Sequence, residues 1–264
     1  MKVVQSKVVR GNCPKGGHRV PGPANIGLVA VLRLVLLCLA LAGLTPGFGA
    51  SPVVGDTLPP ALPVAESRFA FIIDDGPLPQ STAKVLDALK AEGMRATFCL
   101  VGKNIAANPE LAQRIAAEGH EIANQTWSHP ELNGMPEEAI RREIERCQQE
   151  ITRVTGQTPK FFRPPTGALD LYVQKLVEEM GFEVLSPSLD SGDWRNLPAG
   201  HVTRVILGGV TPGSSILIHD SFPRTVAEFP GLLEQLSKRG FKSLTVSELR
   251  SMAAGTGSMV ATPR

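Results

Sequence analysis

The chain has 264 residues, 42% hydrophobic and 20% charged, with 27 Lys and Arg against 25 Asp and Glu. That length suits one large domain or two small ones, and the composition supplies a sizeable core. The net charge of +2 hides an asymmetry: Lys2, Lys7, Arg10, Lys15, Arg19 and Arg33 precede the first acid, Asp56, and the remaining 21 basic residues face 25 acids. A basic nucleic-acid-binding body is excluded on that balance.

In chain order, the first feature is Leu34 to Leu44, an uninterrupted apolar run preceded by positive charge and followed by small residues up to Ala50. This is the pattern of a secretory signal peptide over residues 1–50, cleaved near Gly49 or Ala50. The alternative is an uncleaved anchor in contact with the membrane, since Leu28 to Leu44 approaches spanning length if Arg33 snorkels. Either reading makes the protein exported: secreted, periplasmic or associated with the cell envelope. Cys38 lacks the small residues of a lipoprotein box. Beyond this segment only Cys99 and Cys147 remain, one in an apolar strand-like run and one in a helical pattern, where buried free thiols are expected.

Residues 51–67 are Pro-, Val- and Gly-rich without periodicity and read as a linker. From Arg68 a rhythm sets in. Strands are predicted at Arg68–Ile73, Ala96–Val101, Glu121–Thr126, Lys160–Arg163, Phe182–Ser186, Ser215–His219 and Phe241–Thr245. Between them, helices are predicted at Ser81–Glu92, from Asn108 to Gly119, at Pro136–Thr155, Leu169–Met180 and Val226–Arg239. The stretch from Ser186 to Ser215 reads as irregular, and 251–264 as a flexible tail. Alternating strands and helices without an internal repeat point to one parallel β/α domain over 68–250.

The first strand ends in Asp74-Asp75-Gly76. Adjacent carboxylates repel unless a cation or shared proton intervenes, which suits a metal or acid–base site; the same residues also suit a polar turn. Further polar residues stand at, or just after, other strand ends: Gln125 to His129, Arg163, Asp190, Asp193 and His219. A β/α barrel gathers such ends on one rim, where catalytic groups collect; a doubly wound sheet does so less completely. Five strand ends bearing such groups favour function over turns. His120 reads as structural, His201 as solvent-exposed, and Trp127 and Trp194 as packing residues in their simplest interpretation.

These residues resemble the polysaccharide deacetylase family, the NodB-homology domain of carbohydrate esterase family 4, over about Arg68 to Leu249. The matching motifs are Ile73-Asp74-Asp75-Gly76, Gln125-Thr126-Trp127-Ser128-His129-Pro130, Arg163-Pro164-Pro165-Thr166-Gly167, Asp190-Ser191-Gly192-Asp193-Trp194 and Leu217-Ile218-His219. The resemblance implies a distorted β/α barrel that removes acetyl groups from an acetylated polysaccharide or oligosaccharide, such as peptidoglycan or a chitin-like glycan. It implies a divalent metal of the Zn, Co or Ni kind held by Asp75 and His129, with Asp74 as general base and Arg163 holding Asp74. His219 would be the general acid oriented by Asp193. The Thr166 N–H would stabilise the oxyanion, and Trp194 and Leu217 would line the groove.

Two positions depart from the family pattern. Thr166 stands where a tyrosine is usual. Gln125 stands where a metal-binding histidine is usual, and a carboxamide oxygen is a weaker ligand for Zn²⁺ than imidazole. Two other readings accompany the deacetylase: a non-catalytic glycan-binding pseudoenzyme, prompted by Gln125, and an O-acetyl (xylan) esterase, which would use the same machinery on an easier bond.

Overall fold

The computed structural model describes residues 67–257 apart from 168 and 196. The export segment expected over 1–50, and all of the expected linker except Ser67, lie outside the described residues. Ser67 already belongs to the first strand.

Eight strands form one sheet in which every pairing is parallel. They are β1 (Ser67–Gly76), β2 (Ala96–Leu100), β3 (Glu121–Asn124) and β4 (Phe161–Phe162). The rest are β5 (Glu183–Val184), β6 (Leu189–Asp190), β7 (Ser215–His219) and β8 (Phe241–Leu244). The order is β5-β4-β3-β2-β1-β7-β6, with β8 against the first half of β1. Among the described residues no ladder joins β5 to β6, so the expected distorted barrel forms as a curled sheet open on one side.

Alternation along β1 separates two cores. Phe69, Phe71 and Ile73 point outward into the layer shared with the helices. Ala70 and Ile72 point inward, meeting Cys99, Ala123, Phe161, Leu185 and Leu217. Both faces of a parallel sheet are covered, which is why β1 reads as a continuous apolar run rather than an alternating one.

The helices are α1 (Thr82–Ala91), α2 (Gly102–Ala107), α3 (Pro109–Ala117), α4 (Glu137–Thr155), α5 (Leu171–Glu179), α6 (His201–Gly209), α7 (Pro223–Lys238) and α8 (Val246–Gly257). In α4 the buried positions are Ile140, Ile144, Cys147, Ile151 and Val154, a three-and-four spacing that gives one apolar stripe. Burying each isoleucine contributes about 1.5–3 kcal/mol. Gly156, at φ 72°, ends the helix in the left-handed conformation that glycine adopts without strain. No helix among the described residues is long and apolar enough to cross a membrane.

Four elements differ from the expectation. The stretch read as irregular contains β6 and α6. The N-terminus of α6 is satisfied from α7: the Glu228 carboxylate accepts from the Gly200 N–H (2.5 Å) and from the Thr203 hydroxyl (3.0 Å). The expected tail is helical as far as Gly257, because α8 starts in a reciprocal cap. Thr245 N–H donates to Glu248 (3.0 Å), and Glu248 N–H donates to the Thr245 hydroxyl (3.2 Å). Finally, α2 is a short helix unheralded by any periodicity. Cys99 and Cys147 are buried free thiols, as expected. His120 is buried and its Nδ1 accepts from the Ala96 N–H (3.2 Å), a structural role; burial lowers its pKa to about 4. His201 is half-buried rather than exposed.

Candidate active site

The inward alternation runs to the C-terminal ends of β1 and β7 and one residue past those of β3 and β4. Asp74 continues the inward face of β1 after Ala70 and Ile72, and His219 that of β7 after Leu217. Gln125 follows Ala123 of β3, and Arg163 follows Phe161 of β4. Four polar side chains are thereby delivered to one rim. They line a cleft of about 560 Å³ together with Asp75, His129, Thr166, Trp194 and Leu217. Of the residues singled out for the site, only Asp193 lies behind that lining, in contact with His219.

Asp74 and His219 are direct partners in the β1–β7 register, and Asp74 Oδ2 lies 3.9 Å from His219 Nε2. Oδ2 accepts from Arg163 Nε at 2.9 Å, and both side chains are almost fully buried. Burial raises the Asp74 pKa, while the charges of Arg163 and His219 hold it down. The Cys99 thiol, pushed well up by burial and by the Asp74 charge, is packed beneath the pair. Arg163 also donates to the Leu185 carbonyl (3.3 Å).

His219 Nδ1 sits 2.7 Å from Asp193 Oδ1, and Asp193 Oδ2 accepts from the His219 N–H (2.8 Å) and the Thr225 hydroxyl (3.0 Å). Burial opposes a charge on the ring, but Asp193 together with the charges of Asp74 and Asp75 outweighs it, and the pKa rises to about 8. Phe222 packs edge-on against the imidazole, with centroids 5.5 Å apart.

The second carboxylate is held differently. Asp75 has φ 80°, and Thr126, His129 and Thr166 also adopt positive φ. Four non-glycine residues in this sparsely allowed region, all around one cleft, mark a backbone held in place by its surroundings. Asp75 Oδ2 accepts from the Ser221 hydroxyl (2.9 Å), and its carbonyl accepts from Asn104 Nδ2 (2.7 Å). The loop bearing His129 is pinned by Glu143 of α4, which accepts from the Ser128 N–H (2.7 Å) and hydroxyl (2.9 Å). On the rim, Trp194 is half exposed, with Nε1 donating to Asp190 (3.3 Å). Thr166 donates its hydroxyl to Glu131 (2.9 Å).

Asp75 Oδ1, His129 Nε2 and Gln125 Nε2 converge. Oδ1 and His129 Nε2 are 3.5 Å apart, and the Gln125 nitrogen is 3.2 Å from each. Ligands on one tetrahedral cation stand about 3.4 Å apart for bonds of ~2.1 Å, so the spacing of a three-ligand site is present. The third atom is the wrong one. Gln125 is buried and its Oε1 accepts from the Asp75 N–H at 2.9 Å, which turns the amide nitrogen, with no lone pair to offer, toward the other two. Turning the amide over would set Nε2 against that N–H and Oε1 against the carboxylate. Asp75 and His129 suit a divalent metal; the set of three, as arranged, does not.

Sequence reasoning missed Ser221, Phe222, Thr225, Asn104 and Asp220. Three of them directly follow His219, which was the available signal. Asp220 is buried beneath the site, accepts from the Thr82 hydroxyl, and is pushed by burial to about 7.

A curled parallel sheet whose C-terminal rim presents a buried carboxylate–guanidinium pair opposite a carboxylate-backed imidazole has the parts that a β/α hydrolase uses to move protons. The family model for polysaccharide deacetylase matches residues 62–185. A peptidoglycan-N-acetylglucosamine deacetylase of Bacillus cereus is 35% identical, over 71% of this chain and 70% of its own length. That of Listeria monocytogenes is 34% identical over 72% of this chain, which spans only 41% of that relative. The solved structure of a peptidoglycan deacetylase from Bacillus subtilis superposes with a TM-score of 0.70, at 28% identity, covering 73% of this chain and 94% of that one. The chain belongs to the polysaccharide deacetylase family.

Proposed function

We propose that the cleft binds an N-acetylated glycan, peptidoglycan as named for the relatives or a chitin-like chain, and hydrolyses its acetamide. The observation that carries this reading is the facing pair: Asp74 held by Arg163 on one side, and His219 backed by Asp193 on the other, 3.9 Å apart. Amide hydrolysis needs a base for the attacking water, stabilisation of the oxyanion and a proton for the leaving amine. Asp74 supplies the base, kept ionised in a buried site by the guanidinium. His219, protonated below about pH 8, supplies the proton. Thr166, Leu217 and Trp194 all line the cleft, and the roles assigned to them are the Thr166 N–H for the oxyanion, Leu217 for the acetyl methyl and the half-exposed Trp194 ring for a sugar. No step is routed through a metal, since Gln125 presents a nitrogen. The envelope-directed segment expected at the N-terminus fits a glycan outside the membrane.

The test is acetate release from N-acetylglucosamine oligomers and peptidoglycan, with acetylated xylan as the ester arm. Release by the wild type that is lost in Asp74→Asn supports the proposal; equal release by both, or none from any acetylated glycan, overturns it. A second reading, glycan binding without turnover, is favoured by the Gln125 amide alone. It predicts retained oligomer affinity with no acetate released.

A further inference from the structure

We infer that the Gln125 carboxamide stands in for a cation. It holds the Asp75 carboxylate and the His129 imidazole together by N–H donation, so the natural chain keeps this site assembled without a metal. A carboxylate and an imidazole lone pair aimed at one point need something electropositive between them. The two hydrogens of Nε2, 3.2 Å from each partner, meet that need when the ring carries its proton on Nδ1. The Asp75 N–H fixes which end of the amide faces in. Ser221 completes the neutral cage by donating to the other Asp75 oxygen. Among the described residues no three His, Cys, Asp or Glu side chains converge on one point, so no alternative donor set stands nearby.

Binding a cation would require the amide to turn, leaving the Asp75 N–H opposite another donor. Stranding that N–H weakens affinity roughly tenfold or more compared with a side chain offering oxygen on both ends. Glutamate is such a side chain, and it has the same shape. Gln125→Glu keeps the acceptor for the Asp75 N–H and places an oxygen where the nitrogen now stands, giving two carboxylates and one imidazole at the same spacing. Without metal those two carboxylates repel; with metal they chelate.

The experiment is metal content per chain after equilibration with Zn²⁺, Co²⁺, Ni²⁺ or Mn²⁺, read by elemental analysis and by the visible spectrum of the Co²⁺ form, alongside melting temperature with and without chelator. The wild type is expected to retain no metal that depends on Asp75 or His129, and to melt at the same temperature with metal or chelator. Gln125→Glu is expected to melt lower in chelator, to recover with metal and to retain one equivalent. Gln125→His, a second route to three donors, is likewise expected to retain one. One equivalent on the wild type, abolished by Asp75→Asn or His129→Ala, overturns the inference, and that measurement decides it even if a Gln125 variant fails to fold. Because acetate release is not the readout, failure here leaves the proposed hydrolysis standing, and the reverse also holds.

Discussion

Arg163→Met tests whether the Asp74 carboxylate is ionised at the expense of its neighbour. Asp74 and Arg163 side chains are 3% and 6% exposed, and one 2.9 Å hydrogen bond joins them. Removing one partner of a buried pair leaves an uncompensated charge, a loss of about 3–5 kcal/mol. The Leu185 carbonyl also loses its donor, about 1 kcal/mol more. Only the first loss depends on pH. The Asp74 pKa in the fold is already above the ordinary 3.8 through burial, and Arg163 restrains the rise. A carboxyl whose folded pKa is raised contributes stability that is fully present below the unfolded value and is lost as pH rises through the folded one. Without Arg163 the folded pKa climbs further and the loss extends to higher pH. The gap between wild type and variant should therefore be smaller at pH 5 than at pH 8, with the full loss on the order of ten degrees in Tm.

The assay is urea and thermal unfolding at both pH values for wild type, Arg163→Met, Asp74→Asn and the double variant. Asp74→Asn should recover most of the pH 8 loss, because it removes the charge that Arg163 compensates. A destabilisation equal at pH 5 and pH 8, or a double variant no more stable than Arg163→Met at pH 8, would refute the reasoning.

Two further outcomes follow from the same electrostatics. Acetate release should fall as pH rises through about 8, where His219 loses its proton, and Asp193→Asn should move that limb to lower pH. A limb that stays in place in Asp193→Asn would remove His219 as the acid. Asp220, raised by burial from 3.8 to about 7, costs the fold stability as pH climbs between those values; Asp220→Asn should melt higher than wild type at pH 8 and no higher at pH 4. Equal Tm differences at the two pH values would show that the carboxyl is not the source.

What the sequence discloses about this site follows from period-two geometry. Asp74, Gln125, Arg163 and His219 are each two residues beyond an inward-facing Ile72, Ala123, Phe161 or Leu217, so a correct strand assignment aims all four into one barrel. The residues that hold Asp75 obey no such rule. Asn104 and Ser221 reach it across 29 and 146 positions of chain, and Asp75 itself sits in an irregularity of β1, at φ 80°, that breaks the alternation. The N-terminus of α6 was illegible for the same reason: its acceptor, Glu228, belongs to a later helix and leaves no local trace. The start of α8 is the opposite case, since Thr245 and Glu248 are a local capping signal that the small, polar composition of the tail conceals. Gln125 falls between these cases. Its identity marks it as the odd member of the motif that the family resemblance reads as metal-binding, yet whether it offers oxygen or nitrogen is decided by the single N–H of Asp75, donated at 2.9 Å from a residue 50 positions earlier. A substitution that looks in sequence like a weakened ligand is, in the folded chain, a donor where a ligand would have to accept a cation.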